Sequence, residues 1–187
     1  MTKTVSTPLT DESVKDLKAG DRVLLNGIIY TGRDAAHKRL VEMMEKGEKL
    51  PLELQGQTIY YVGPCPAKPG KVIGSAGPTT SGRMDAYAPV LMEKGLKGMI
   101  GKGIRSREVV DSIVKNKSVY FAAIGGAGAL LAEAIKEAQI LAFSDLGPEA
   151  IYKLRVENFP VTVIIDSQGN DLYKIGKEQY KVKGKEK

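Results

Sequence analysis

From residue 98 onward the chain alternates short apolar runs with helical patterns, and this alternation limits the fold more than any other feature of the sequence. The predicted strands cover residues 99–101, 119–124 and 140–144, and the predicted helices cover residues 105–115 and 127–138, with Ser106 as the N-cap of the first. Alternating strands and helices are typical of an α/β layered domain with a partly parallel sheet.

The two ends of the chain add further elements to this pattern. Near the N-terminus, the predicted strands cover residues 4–9, 22–30 and 58–62, and a predicted helix covers residues 35–46. At the other end, residues 161–166 and 171–175 flank the turn sequence Ser-Gln-Gly-Asn, a pattern typical of an antiparallel hairpin. The sequence therefore predicts an α/β fold with a mixed sheet and a C-terminal β-hairpin.

The length of 187 residues suits one domain with a substantial hydrophobic core. The formal net charge is +6, but residues 174–187 hold six lysines against two glutamates and so supply +4 of it. A lysine-rich end of this kind is more typical of a solvated terminus than of a nucleic-acid-binding face. We predict a single domain over residues 1–175, followed by a basic, flexible tail over residues 176–187.

Cysteine and histidine each occur once, as Cys65 and His37. One cysteine excludes an internal disulfide and a metal site built from several thiolates of this chain alone.

The polar N-terminus has no apolar core of a signal peptide, and the longest uncharged run, residues 118–132, is too short to span a bilayer. We therefore expect a cytoplasmic protein. A lone histidine, or a lone cysteine between prolines, is more often structural than catalytic.

Two glycine-rich segments resemble nucleotide-binding loops, but each lacks a required residue. Residues 77–84 have the glycine spacing of a P-loop, yet Arg83 and Met84 stand where a lysine and a hydroxyl residue are needed. Residues 125–128 precede a helix, with Asp145 about twenty residues further on, but Leu131 replaces the third glycine of a dinucleotide-binding turn. Close packing of strand and helix is the better interpretation of the second segment.

Residues 77–84 could still bind an anion, because backbone amides and hydroxyl groups at the predicted start of a helix are combined there with Arg83. A tight turn with Arg83 in solvent is the alternative. Residue chemistry alone leaves both interpretations open.

The run from Val72 to Asp85, VIGSAGPTTSGRMD, resembles the signature of the C-terminal half of class I fumarases and of the L(+)-tartrate dehydratase β subunit. Further matching segments are GRDAAH at 32–37, YYVGPCP at 60–66, KG at 102–103, IGG at 124–126, DLGPEA at 145–150 and NFPV at 158–161. Together they span nearly the whole chain except the N-terminal arm and the lysine-rich tail. Pro148 and Cys65 depart from the residues expected in this family.

This resemblance implies a swivelling β/β/α domain docked against a larger α domain or subunit. In the family, that partner holds a [4Fe–4S] cluster through three cysteines and leaves one iron open for substrate. With Cys65 alone, this chain would bind no cluster and no other metal, so the cluster would belong to an α subunit in an α2β2 heterotetramer. The substrate would be a dicarboxylate, either fumarate, hydrated to (S)-malate, or tartrate.

The resemblance also implies site residues, namely Arg33, Thr79, Arg83 and Lys102 as substrate contacts, with Thr79, Arg83 and Lys102 also catalytic. A threonine hydroxyl is a poor base unless another group takes its proton. Asp85 and a group on the partner both remain open as that acceptor. A stand-alone anion- or nucleotide-binding module is the alternative from another functional class.

Overall fold

The computed structural model describes residues 2–124 and 126–179, which form a mixed α/β fold around one seven-stranded sheet. The strands are β1 (Thr2–Ser6), β2 (Arg22–Thr31), β3 (Thr58–Tyr60), β4 (Gly98–Gly101), β5 (Val119–Ala122), β6 (Ile135–Ala142) and β7 (Ile151–Ile165). The α-helices are α1 (Asp11–Lys15), α2 (Asp34–Glu45), α3 (Ala88–Glu93), α4 (Arg107–Asn116), α5 (Gly128–Glu133) and α6 (Leu172–Gln179). Short 3-10 helices occupy Ser81–Met84 and Ser144–Glu149.

Strand β7 closes five of the strands into a barrel. Strands β2, β3, β4 and β5 run parallel to one another in that order. The long strand β7 then pairs antiparallel with both β2 and β5, which joins the two ends of the parallel set. Strand β1 extends the sheet beside β2, and β6 extends it beside β7. The predicted mixed, partly parallel sheet is therefore confirmed.

Side chains of the parallel strands alternate between two apolar layers. Tyr60, Ile100 and Phe121 lie in the first layer with residues of β2 and β7, whereas Met99 and Tyr120 lie in the second, with helices α2, α3 and α4. All five side chains are fully buried, because a parallel strand covered on both sides has no face left for water. Helix α4 begins at the predicted N-cap, where the Ser106 hydroxyl accepts from the Val109 amide at 3.4 Å.

The predicted C-terminal β-hairpin is wrong in its second half. The chain does reverse after β7, with a single antiparallel bridge between Ile165 and Asp171, but residues 172–179 form helix α6. The side chain of Asp171 caps this helix by accepting from the Tyr173 amide at 3.0 Å. Packing of Leu172 and Tyr173 against the second apolar layer stabilises the helix where a strand was expected.

The predicted helix over residues 127–138 is also wrong in part. Helix α5 ends at Glu133, and strand β6 begins at Ile135, five residues before the predicted strand. Pairing with β7 outweighs the helix preference of residues such as Ala138 and Gln139. Residues 151–160 were assigned to no element, although they form most of β7.

The end of the described chain and the lengths of its helices both follow from the bounds of the elements. Helix α6 continues past residue 175, where the domain was predicted to end, and residues 180–187 of the predicted tail lie outside the described part. None of the helices within residues 2–124 and 126–179 combines the length and the apolar character needed to cross a bilayer.

We predict that Phe159→Ala lowers the free energy of unfolding by about 3–5 kcal/mol, because it removes a large buried ring from the closing strand. Phe159 is fully buried and lies opposite Leu25 of β2. The centroids of its ring and of the Tyr60 ring are 5.3 Å apart, in an edge-to-face arrangement. Urea unfolding of the purified chain measures the change. Leu141→Ala, on the exposed side of β6, serves as the control and should cost less than about 1 kcal/mol. Equal losses for the two variants would contradict this account of the barrel.

Candidate active site

One rim of the barrel collects the loops that follow the parallel strands. Strand β2 ends two residues before Arg33, β3 ends three residues before Gly63, and β4 ends immediately before Lys102. Because these strands are adjacent and parallel, their carboxyl ends lie at the same edge of the sheet. This edge is where α/β proteins commonly bind ligands.

The signature segment lies across this rim, held by backbone hydrogen bonds. The Thr79 amide donates to the Tyr61 carbonyl at 2.8 Å, the Ser81 amide to the Lys102 carbonyl at 2.9 Å, and the Lys102 amide to the Thr79 carbonyl at 3.3 Å. Thr80 and Lys102 thus form a parallel bridge. Two predicted site residues, Thr79 and Lys102, lie side by side through this pairing.

The backbone of the signature segment differs from the predicted anion-binding helix start. Residues Ser81–Met84 form a single 3-10 turn, and α3 begins only at Ala88. The amides of Thr79 and Ser81 already donate to carbonyls of the chain. An anion at this rim would therefore be bound mainly by side chains.

Arg83 connects the signature segment to the early Gly-Arg-Asp turn. Its Nη2 donates to Thr79 Oγ1 at 2.9 Å and lies 3.3 Å from Asp34 Oδ2. Nearly half of the Arg83 side chain, 46%, remains exposed. The guanidinium is therefore oriented by the chain and still open to a ligand.

Arg33 precedes α2, and Glu149 holds its guanidinium. Arg33 Nη2 lies 3.1 Å from Glu149 Oε1, while the second carboxylate oxygen accepts from the Ala35 amide at 3.2 Å. A Cβ at position 63 would lie 2.7 Å from Arg33 Nη1, so the guanidinium fits beside Gly63 only because that residue has no side chain. Glu149 was not predicted as a site residue, although it belongs to the matching segment DLGPEA.

Thr79, Arg83 and Lys102 are thus joined by direct hydrogen bonds, and Arg33 is connected to them through its neighbour Asp34. Lys102 is exposed and forms no ion pair within residues 2–124 and 126–179. Three cationic side chains therefore belong to one rim, and two of them are oriented by carboxylates.

Asp85, which the sequence left open as a proton acceptor, is a structural residue. Its Oδ1 accepts from Arg105 Nε and its Oδ2 from the Ser106 amide, both at 2.6 Å. Both oxygens are thus bound by the segment after β4, whereas the hydroxyl of Thr79 is bound by Arg83. Sequence reasoning missed Arg105, because a single arginine between a loop and a helix gives no signal of its own burial.

His37 is completely buried behind the rim. Its Nδ1 lies 2.9 Å from the carbonyl oxygen of Arg33, and a carbonyl can only accept, so Nδ1 carries the hydrogen. Burial lowers the pKa of His37 from 6.5 to about 4, and the charge of Arg105 contributes in the same direction. The imidazole is therefore neutral near pH 7, and it supports Arg33 from within the core.

Cys65 is exposed on the loop after β3 and lines a groove of about 660 Å³ with residues that include Val72, Ile73 and Ala132. Within the part of the chain that the structure describes, no group of three or more His, Cys, Asp and Glu side chains could hold a metal ion. A lone thiolate does not match the several thiolates that hold an iron–sulfur cluster.

The second glycine-rich segment packs against the signature segment. Gly125 lies outside the described residues, but the Gly128 carbonyl accepts from the Ala76 amide at 3.1 Å. A Cβ at position 128 would lie 2.4 Å from Ser75 Oγ. Asp145 pairs instead with Arg39, at 2.8 Å. Close packing was predicted between strand and helix, but the contacts of Gly128 are with the signature segment.

Comparison with known proteins gives one family and several relatives. The sequence model of the family described as the fumarase C-terminus matches residues 2–176. Fumarate hydratase 2 of Leishmania major is 42% identical over 164 residues, and the aerobic class I fumarate hydratase of Escherichia coli K12 is 44% identical over 154 residues. These matches cover 87% and 81% of this chain but only 29% and 28% of the relatives. The chain thus spans less than a third of their length.

A third relative has the size of this chain. It is a Methanocaldococcus jannaschii protein named provisionally as the β subunit of an L(+)-tartrate dehydratase, 42% identical over 179 residues. That match covers 92% of each chain.

We predict that the imidazole of His37 does not titrate between pH 5 and 8 and keeps its hydrogen on Nδ1. Nitrogen-15 NMR of the labelled chain measures both, and the signal needs no further assignment because the chain has one histidine. A midpoint near 6.5 would contradict the burial of the ring.

The lowered pKa of His37 also predicts how stability depends on pH. The unfolded chain binds this proton near pH 6.5, and the folded chain only near pH 4. The contribution of His37 to stability is therefore complete above pH 6.5 and is lost as the pH falls toward 4, by about 1.4 kcal/mol per pH unit. His37→Gln, which cannot bind this proton, should flatten the dependence in that window, as followed by urea unfolding.

Proposed function

The chain belongs to the family described as the fumarase C-terminus, and on that premise we propose that it is the β subunit of a class I fumarate hydratase, which reversibly hydrates fumarate to (S)-malate. The observation that most supports this proposal is the placement of Arg33, Thr79, Arg83 and Lys102 on one rim of the barrel. The sequence identity of more than 40% between this chain and each of the two fumarate hydratase relatives supports the proposal independently.

A dicarboxylate suits the charges of this rim. Arg33 and Arg83 offer planar guanidinium groups that bind carboxylates through paired hydrogen bonds, and Lys102 offers a mobile point charge. Glu149 and Asp34 hold the two arginines in place before substrate arrives. Such preorganised groups lose little conformational entropy on binding.

Charge stabilisation is the catalytic role of Arg83 and Lys102. Removal of a proton beside a carboxylate builds negative charge on that carboxylate, and fixed cations lower the barrier when they bind this state more strongly than the substrate. Thr79 Oγ1 accepts from Arg83, so its own hydrogen is free to donate to a substrate oxygen. Thr79 therefore orients the substrate, and a partner subunit supplies the base.

The rest of the active site belongs to a larger α subunit, which binds the [4Fe–4S] cluster. Cys65 by itself cannot hold such a cluster, and the fumarate hydratase relatives are more than three times as long as the segment they share with this chain. Two copies of each subunit would form an α2β2 heterotetramer, with this chain as its swivelling β/β/α domain. An iron–sulfur enzyme and an exposed thiol both suit the reducing cytoplasm.

Exposed apolar side chains in the segments that follow β3, β4 and β5 offer contacts for the α subunit. Four large apolar side chains are exposed by 48–64%: Val72, Ile104, Ile124 and Leu130. Ile104 lies two residues from Lys102, and Ile124 and Leu130 flank the glycine-rich segment that packs on the signature. A permanent interface of this kind commonly buries more than about 2,000 Å².

The β subunit of an L(+)-tartrate dehydratase is the second candidate. The specific observation in its favour is the relative of equal size, which matches over 92% of both chains. Both substrates are dicarboxylates that the same cations would hold. Assays of the assembled complex with fumarate, malate and tartrate distinguish the candidates.

We predict that the chain expressed alone contains no iron–sulfur cluster and has no hydratase activity, because one thiolate cannot hold a cluster. Activity should appear when the chain is purified with its cysteine-bearing α partner. Iron and sulfide analysis, absorbance and fumarate hydration measure these properties. Stoichiometric iron and sulfide on the isolated chain would overturn the assignment of the cluster to the partner.

We predict that Arg83→Ala lowers kcat/KM of the assembled complex by roughly 30-fold to several thousand-fold, because a hydrogen-bonded cation at the substrate is lost. Arg83→Lys should not restore activity, since a lysine cannot bind a carboxylate through two parallel hydrogen bonds. Steady-state kinetics with cluster content checked for each preparation measures the effect.

Arg155→Ala is the matched control for Arg83. Arg155 is also a partly exposed arginine with acidic partners, Glu137 and Glu157, but it lies on strand β7 beside β6. The control should retain wild-type kinetics. Near-wild-type kcat/KM for Arg83→Ala would remove Arg83 from the site.

A further inference from the structure

Arg105 is a buried charged residue between β4 and α4, where it lies against Met99, Tyr61 and Tyr120 of the second apolar layer. Its side chain is fully buried, and its Nε donates to Asp85 Oδ1 at 2.6 Å. The guanidinium carbon lies 4.9 Å from the centre of the Tyr120 ring and 5.4 Å from that of Tyr61. Burial of an ion pair is costly, so the pair is weak evidence for stability and invites another explanation.

The pair connects the two segments that provide the candidate site residues. Asp85 directly follows the 3-10 turn that contains Arg83, and Arg105 stands three residues after Lys102. The second oxygen of Asp85 accepts from the Ser106 amide at 2.6 Å. The whole carboxylate of the signature segment is thus bound to the segment that follows β4.

A second connection runs parallel to the ion pair. The Tyr120 hydroxyl lies 3.0 Å from the Gly103 carbonyl and 2.8 Å from Ser81 Oγ. Because the carbonyl can only accept, Tyr120 donates to Gly103, and Ser81 must donate to Tyr120. Two buried links therefore fix the signature segment relative to residues 102–106.

We infer that Arg105 is a positioning residue that sets the placement of Thr79 and Arg83 relative to Lys102. This inference rests on the proposed function for its catalytic consequence. The side chain of Arg105 has no exposed surface and cannot touch a substrate, so it acts through Asp85 and the segments that Asp85 joins. A lysine cannot replace it, because the planar group lies against two aromatic rings while it donates through Nε.

The first test is amide hydrogen exchange on the isolated full-length chain, with the amides of Thr79, Ser81 and Lys102 as reporters. Arg105→Lys and the milder Asp85→Asn should each lower protection at the reporters by roughly tenfold or more, since both weaken the link between the segments. Should Arg105→Lys fail to fold, Asp85→Asn, which keeps the shape of the side chain, reports the same link.

Lys97→Met is the matched control. Lys97 precedes the same strand β4 at its opposite end, is 8% exposed and pairs with Asp11 at 2.6 Å. The control removes an ion pair whose cationic side chain is 10% exposed, although its partner Asp11 is more exposed than Asp85. It should lower the melting temperature and leave the three reporter amides protected.

The second test is steady-state kinetics of the assembled complexes. Arg105→Lys and Asp85→Asn should each lower kcat by about 10- to 100-fold with a smaller change in KM. The reason is that Thr79 and Arg83, once displaced, stabilise the transition state less well. Two results would overturn the inference: unchanged exchange protection at the reporter amides, or wild-type kcat and KM despite a lower melting temperature. Arg105 would then contribute only to stability. A wild-type complex without hydratase activity would refute the proposed function instead, since the exchange experiment does not depend on activity.

Discussion

The pairing of β7 with both β2 and β5 is the interaction on which the rest of the structure depends. Without it, the parallel strands would form an open sheet with two unpaired edges. With it, the sheet closes, and the loops after β2, β3 and β4 are held around one rim. The fifteen residues of β7 are long enough to pair with β6 as well, so one strand determines both the barrel and its extension.

Closure of the barrel also explains how the charges are distributed. The outer ends of Arg83 and Lys102 stay at the surface, where water solvates them until a ligand arrives. The charge of the buried Arg105 is compensated by Asp85, and its guanidinium lies against two tyrosine rings. Burial raises the pKa of both Tyr61 and Tyr120, so these hydroxyls stay protonated and Tyr120 can donate to Gly103. The surface layer is suited to binding and the buried layer to holding that surface in place.

Sequence patterns identified most of the parallel strands, the helices between them and the cap at Ser106. Patterns failed where long-range pairing decides the structure. Residues 135–138 were predicted as the end of a helix but begin β6, because β7 lies beside them. The turn at 166–170 suggested a second hairpin strand, but the Asp171 cap and the packing of Leu172 select a helix. Local preference is worth a fraction of a kilocalorie per residue, and tertiary contacts exceed it.

The sequence by itself determined the α/β class, through its alternating patterns, and the family resemblance, through contiguous motifs. The same motifs contain Arg33, Thr79, Arg83 and Lys102, which the sequence proposes as site residues. Only the tertiary structure decided that Glu149 holds Arg33, that Asp34 holds Arg83, and that Asp85 pairs with Arg105. The partners in these three pairs are 116, 49 and 20 residues apart along the chain. Closure of the barrel brings them together, and no local pattern of residues encodes a contact of that range.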